Sequence, residues 1–266
     1  MNGEAANRQV LCDIARTAFE VVNRLLARDQ LLARELRSET TTSRQVYREE
    51  CITVEMAATL RERFPQNVEI TLFTPPEETK TGADWYWRFE HGDRAIHARV
   101  QAKRVRRAEF GQPDSNGEVE IDQDQLNVLI QETAAVASQL LELQAWLATF
   151  ARFDATPPCG QSDLGQCGRH AHARACAQHE PSLWIAQASE MLQLNRSQLS
   201  VREVVQDSVR LDCILPCIDG SGGGVGPAVK GFALATGLPS YQDCIDGIQK
   251  NPVFLKSFQG AMRIFV

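Results

Sequence analysis

Apolar residues recur along the chain with two periods, and the changes between them divide it into zones. Between residues 4 and 37, Leu11, Ile14, Ala15, Ala18, Val22, Leu25 and Leu26 return at helical spacing among charged positions, which predicts one long or two shorter amphipathic helices. Val46, Glu50, Thr53, Ala57, Leu60 and Phe64 then form a single helical stripe that Pro65 ends. The period next falls to two. Val68, Ile70 and Leu72 alternate in a first strand, Ala83 to Phe89 (ADWYWRF) form a second after the turn Thr79-Lys80-Thr81-Gly82, and Ala95 to Lys103 (AIHARVQAK) form a third after His91-Gly92-Asp93. Helical spacing resumes from about Asp122, with Leu126, Leu129, Ile130, Thr133, Ala134, Ala137, Leu140 and Leu141 on one face. Beyond Phe153 the signals are mixed: a Cys/His-rich stretch, a helix from Pro181 to Leu194, an apolar segment from Leu211 to Ile218, and the glycine-rich turn Ser221 to Gly226.

This order predicts an α/β chain, a mixed sheet flanked by helices, in three parts. They are an N-terminal helical segment (1–43), an αβββαβ-like core (44–152) and a C-terminal extension packed on that core (153–266). With 266 residues, 43% hydrophobic and 23% charged, the chain has globular proportions and ample sequence to bury a core. A net charge of −6 excludes a broadly basic nucleic-acid coat, so any contact with a polyanion must come from a local patch. The N-terminus has no basic region followed by an apolar run, and no stretch of about 18 apolar residues occurs, so a cytoplasmic protein without membrane contact is expected. Eight cysteines in that setting read as reduced thiols or metal ligands rather than disulfides.

The hairpin strands sort their residues by face. In the second strand Ala83, Trp85, Trp87 and Phe89 share the apolar side, with Asp84, Tyr86 and Arg88 opposite; in the third, Ile96, Ala98, Val100 and Ala102 oppose His97, Arg99, Gln101 and Lys103. Pairing the polar faces brings Asp84, Gln101 and Lys103 together. Glu50 is the odd acid of the preceding helix. It lies on the inward stripe, between Val46, Thr53, Val54 and Ala57, where a carboxylate is costly unless paired, protonated or metal-bound.

A carboxylate from a helix, an Asp on one strand and a Gln-x-Lys on the next resemble the PD-(D/E)xK restriction-endonuclease-like superfamily, in its Gln-x-Lys, Mrr-like variant. The phrases FTPPEETKTGADWYW (Phe73 to Trp87) and VQAKR (Val100 to Arg104) look closer still to an uncharacterised bacterial family of such proteins. The resemblance covers roughly residues 48 to 150. It implies a restriction-endonuclease-like core with catalytic residues Glu50, Asp84, Gln101 and Lys103, of which Asp84, Gln101 and Glu50 hold Mg²⁺ or Mn²⁺. Gln101 departs from the superfamily's main pattern, because an amide replaces an acid and removes one ligand charge. The implied activity is metal-dependent hydrolysis of nucleic-acid phosphodiesters, double-stranded DNA foremost, in a bacterial antiphage or restriction effector. A homodimer or a defence-system partner protein belongs to the same expectation. The alternative is a nuclease-like fold of weak or lost activity that binds nucleic acid or a partner.

Two further clusters bear on this. From Arg94 to Arg107 there are six basic residues and no acid, and Arg99, Arg104, Arg106 and Arg107 are the expected phosphate contacts. Between residues 159 and 179, Cys167-x-x-His170 and Cys176-x-x-His179 have spacings compatible with structural zinc, although the same stretch reads equally as a loop followed by an alanine-rich helix.

Overall fold

The N-terminal stripe becomes one helix, α1 (Gly3–Glu35), whose Leu11, Ile14, Ala18, Val22 and Leu25 are buried at steps of three and four. The structure is a computed structural model that describes residues 3–35, 48–72, 85–106, 116–137, 143–152, 182–217, 235–250 and 260–266. Helix α2 (Glu49–Arg63) begins with Glu49 and Glu50 and ends with Arg61 and Arg63, a charge order that complements the helix dipole. Pro65 follows its last turn, and Arg61 donates to the Val68 carbonyl at 2.7 Å, stitching α2 to the first strand. Along α2, Ile52, Thr53, Met56, Ala57 and Leu60 are buried, whereas Val54, which the sequence placed beside Glu50, is exposed.

The remaining elements are β1 (Val68–Leu72), β2 (Trp85–His91), β3 (Arg94–Arg106), β4 (Glu118–Glu120), α3 (Gln123–Ala137), β5 (Gln144–Phe150), β6 (Leu183–Gln187), α4 (Ala188–Gln193), β7 (Gln198–Ser200), α5 (Val201–Gln206), β8 (Val209–Arg210), α6 (Leu211–Cys217), β9 (Ala235–Thr236), α7 (Tyr241–Lys250) and β10 (Gly260–Phe265). The main sheet runs β1-β10-β2-β3-β5-β6-β8. Strands β2 and β3 form an antiparallel hairpin, with Gly92 at φ 59° in its turn. Strand β5 lies parallel to β3, as a crossover through α3 requires. The protein is thus α/β, with a mixed, open sheet flanked by helices.

Two differences from the sequence reading matter. Leu183–Gln187 is a strand and only Ala188–Gln193 is helical, because LWIAQ is a short apolar run buried on both faces, which periodicity cannot tell from a buried helix. Strand β10 inserts between β1 and β2, antiparallel to the first and parallel to the second. Its Gly260 lies opposite Trp85 so closely that a Cβ there would stand 2.8 Å from the indole.

One core layer joins α1, α2 and α6 to Trp85, Trp87, Phe89, Ala98, Val100 and Trp146. A second joins Tyr86, Leu147 and Trp184 to Leu126 and Leu129 of α3 and to Tyr241, Ile245 and Ile248 of α7. Strands β2 and β3 are therefore covered on both sides, and the polar face of the hairpin is interior as well.

Candidate functional site

Gln101 and Lys103 stand two residues apart on β3 and point to the same side of the sheet, the side that α3 covers. Helix α3 starts with its first turn held by Asp122, whose Oδ1 accepts the Gln125 backbone N–H at 3.0 Å. That turn sets the Gln125 side chain over the strand. Its Oε1 accepts from Gln101 Nε2 at 3.0 Å and from Lys103 Nζ at 3.4 Å. Gln101 is buried, and Lys103 and Gln125 are half-buried.

Further back along the strand the same face stays polar and closed. Arg99 donates to Glu132 of α3 at 2.8 Å, with no exposed surface on its own side chain. Burial pulls the Arg99 guanidinium below its ordinary pKa, against the pull of Glu132. His97 Nδ1 lies 3.0 Å from the Tyr86 hydroxyl, whose pKa burial drives well above the usual phenol value.

Among the described residues the basic run is divided between the two faces of the sheet. Arg99 is sealed beneath α3. Arg104 points to the opposite side of the sheet, where its NH2 meets Asp29 of α1 at 2.7 Å with both side chains buried. Neither faces solvent: the Arg99 side chain is fully buried against the half-buried Glu132, and Arg104 is buried against the buried Asp29. Arg106 is exposed and pairs with the exposed Glu120 of β4. Arg107 lies outside the described residues.

Glu50 occupies the first turn of α2, which packs against β1 and β3. The side chain is half-buried, and its Oε2 is fully buried with no hydrogen-bond partner among the described residues. Among the described residues no hydrogen bond joins it to Gln101 or Lys103. Asp84 lies outside the described residues; it precedes Trp85, whose partner across the hairpin is Val100. Cys167, His170, Cys176 and His179 lie outside them too. Among the described residues no group of three His, Cys, Asp or Glu side chains is placed to hold a metal, and no helix is long and apolar enough to cross a membrane.

Gln125 and Glu132 are the partners that sequence reasoning missed. Asp122 and Gln125 do have the spacing of a helix cap and its third residue, but that signal concerns the helix end and says nothing of a strand beneath it.

The far end of the hairpin carries a second polar cluster, around a cleft of about 500 Å³ lined by Glu69, Arg88, Glu90, Tyr241 and Arg263 among others. Arg263 bridges Glu90 (2.7 Å) and Glu69 (3.0 Å) and lies over the Phe265 ring at 4.4 Å. Arg88 pairs with Glu90 and donates to the Pro239 carbonyl at 2.7 Å. Burial pushes the Tyr241 hydroxyl up to about 12. These charges neutralise one another and tie β1, β2, β10 and α7 together.

Comparison with curated proteins and with solved structures gives no match to this chain. A family model does match, over residues 11–256, which takes in the Gln101–Gln125–Lys103 cluster and both core layers except the residues of β10. The chain belongs to that family, the family of unknown function DUF6615.

Proposed function

We propose that the protein is a metal-dependent nuclease that hydrolyses nucleic-acid phosphodiesters, double-stranded DNA foremost. The observation that carries this reading is the cluster of Gln101 and Lys103, held side by side and partly shielded from water by one side chain of α3. The order α2, β1, β2, β3, α3, β5, interrupted only by the three-residue β4 among the described residues, supports it, being the αβββαβ order of the family that the sequence resembles. Glu50 supports it as well. A buried carboxylate oxygen without a hydrogen bond is costly, and a bound cation would offset that cost.

The donors suit a hard cation, since carboxylate and amide oxygens favour Mg²⁺ or Mn²⁺ over zinc. In this reading Asp84 and Gln101 hold it on the side of the sheet that α3 covers, and Glu50, whose helix packs on the other side, joins them only round the end of the sheet. When bound, the cation supplies charge neutralisation at the scissile phosphate and a water acidic enough to attack near neutral pH. Lys103 turns its ammonium toward charge building on the phosphate oxygens. The half-buried setting of Lys103 and Gln125 limits competing water, which strengthens that interaction. Arg106 remains as an exposed phosphate contact on the same strand.

The amide at position 101 favours a second reading, a nuclease-like fold that binds nucleic acid or a partner without cutting. The two part on cleavage of plasmid DNA, with RNA alongside, in Mg²⁺ and in Mn²⁺, by the wild type, Asp84→Ala and Lys103→Ala. The nuclease reading expects the wild type to cut and both variants to be inert. A wild type that retains DNA but cuts nothing with either cation supports the binding module. Equal cutting by all three places the activity outside this site.

A further inference from the structure

Lys103 carries a positive charge that no carboxylate answers among the described residues. Its ammonium is half-buried, and its partner is an amide oxygen, Gln125 Oε1, at 3.4 Å. A cation in such a setting is costly without a counter-charge, and a bound anion would offset that cost. The neighbouring groups do not supply one. Arg99, further back on the same face, is taken by Glu132, and Asp122 of the α3 cap is turned to the Gln125 backbone N–H.

The donors point the same way. An ammonium has three N–H groups and no acceptor, so donors remain to Lys103 beyond its bond to Gln125. The Gln125 oxygen accepts from Lys103 and, at 3.0 Å, from Gln101 Nε2, which fixes the end of the amide that faces the strand. The other end, the Gln125 NH₂, has no partner among the described residues. Ammonium and NH₂ thus stand one amide group apart, close enough for two oxygens of one phosphate to take one each.

We propose that Gln125 is a substrate contact: its NH₂, together with the Lys103 ammonium, holds a phosphate of a nucleic-acid backbone, and does so without a metal. The inference rests on the nucleic-acid reading given above and deepens it, and it applies to a nuclease and to a binding module alike. Gln101 then has a part besides any metal. Its N–H on the Gln125 oxygen keeps that amide from turning over, so that donors and not an acceptor meet the phosphate.

The test measures binding of a short fluorescent DNA duplex to the full chain by anisotropy, in EDTA and at several salt concentrations. It compares the wild type with Gln125→Leu, Gln125→Glu, Gln125→Lys and Lys103→Met, with thermal melts alongside. Gln125→Leu should bind about ten-fold more weakly at every salt concentration, the scale of a lost hydrogen bond to a charged group, since a neutral donor releases no counterion. Lys103→Met should also lower the slope of log affinity against log salt by about one. Gln125→Glu separates contact from support. It keeps an oxygen toward Gln101 and Lys103, so a merely supporting residue loses nothing by it. A phosphate contact loses more than in Gln125→Leu, because a carboxylate then faces the phosphate. Gln125→Lys restores a donor and should bind at least as tightly as the wild type. Wild-type affinity in Gln125→Glu overturns the proposal, and so does a wild type that binds no duplex in EDTA. The nuclease reading is decided separately, by plasmid cleavage in Mg²⁺ and Mn²⁺. Should Gln125→Leu fail to fold, the contrast between Gln125→Glu and Gln125→Lys carries the same decision.

Discussion

Arg104 and Asp29 meet inside the protein at 2.7 Å, one from the middle strand of the sheet and the other from the N-terminal helix, with side chains only 5% and 9% exposed. Removing one partner breaks the ion pair and leaves the other charge in the core. Asp29→Ala should therefore destabilise the fold by about 3–5 kcal/mol in urea denaturation, whereas Asp29→Leu combined with Arg104→Met should recover most of that loss. If the single variant unfolds at the wild-type urea concentration, the pair is not the buried bond described here.

The approach of Gly260 to Trp85 gives a second prediction. A methyl group at 260 would sit 2.8 Å from the indole and 3.1 Å from the Thr71 carbonyl, so strand or ring must shift. Gly260→Ala should cost about 1–3 kcal/mol and change the tryptophan emission spectrum. Unchanged stability and emission would contradict the register of β10 against β2.

Glu50 should show a conflict between stability and chemistry. Its buried oxygen has no hydrogen-bond partner among the described residues, so Glu50→Met should raise the stability of the metal-free protein by about 1 kcal/mol. The same variant should lose any stabilisation by Mg²⁺ or Mn²⁺. Denaturation with and without cation checks both halves, and a less stable metal-free variant would count against an unpartnered carboxylate.

Glu203 carries a pH dependence whose sign is fixed by its surroundings. Hydrogen bonds from the Ser200 hydroxyl and the Ser200 backbone N–H, together with Arg196, hold its carboxyl at about 2, below the ordinary 4.5. Its folded pKa is depressed, so its contribution is present in full above about 4.5 and fades as the pH falls toward 2. Glu203→Gln keeps the capping geometry without the titration. The stability gap between wild type and variant should narrow over that interval. An NMR titration of the Glu203 carboxyl giving an ordinary value would refute it.

Much of the frame was legible where periodicity is strong. The spacing of Leu11 to Leu26 and of Thr53 to Leu60 predicts α1 and α2, and the alternation in ADWYWRF and AIHARVQAK predicts the hairpin and the shared face of Gln101 and Lys103. Side-chain partnerships were not legible, because they are tertiary. Arg99 and Arg104 read as surface charges until Glu132, 33 residues later, and Asp29, 75 residues earlier, are brought against them. Gln125 reads as an ordinary first-turn residue for the same reason. Strand β6 was misread because both its faces are buried, which erases the alternation that marks a half-exposed strand. Asp84 and the Cys/His stretch lie outside the described residues.

The insertion of β10 orders events during synthesis. Gly260–Phe265 fill the gap between Val68–Leu72 and Trp85–His91, so β1 and β2 must wait for almost 170 further residues to be translated before they are bridged. Helices α1 and α2 and the β2–β3 hairpin can form early from local contacts, but the continuous sheet closes last, a late step of high sequence separation. A nascent chain halted before Gly260 would leave the unpaired edges of β1 and β2 facing each other across an open slot, inviting strands from other chains.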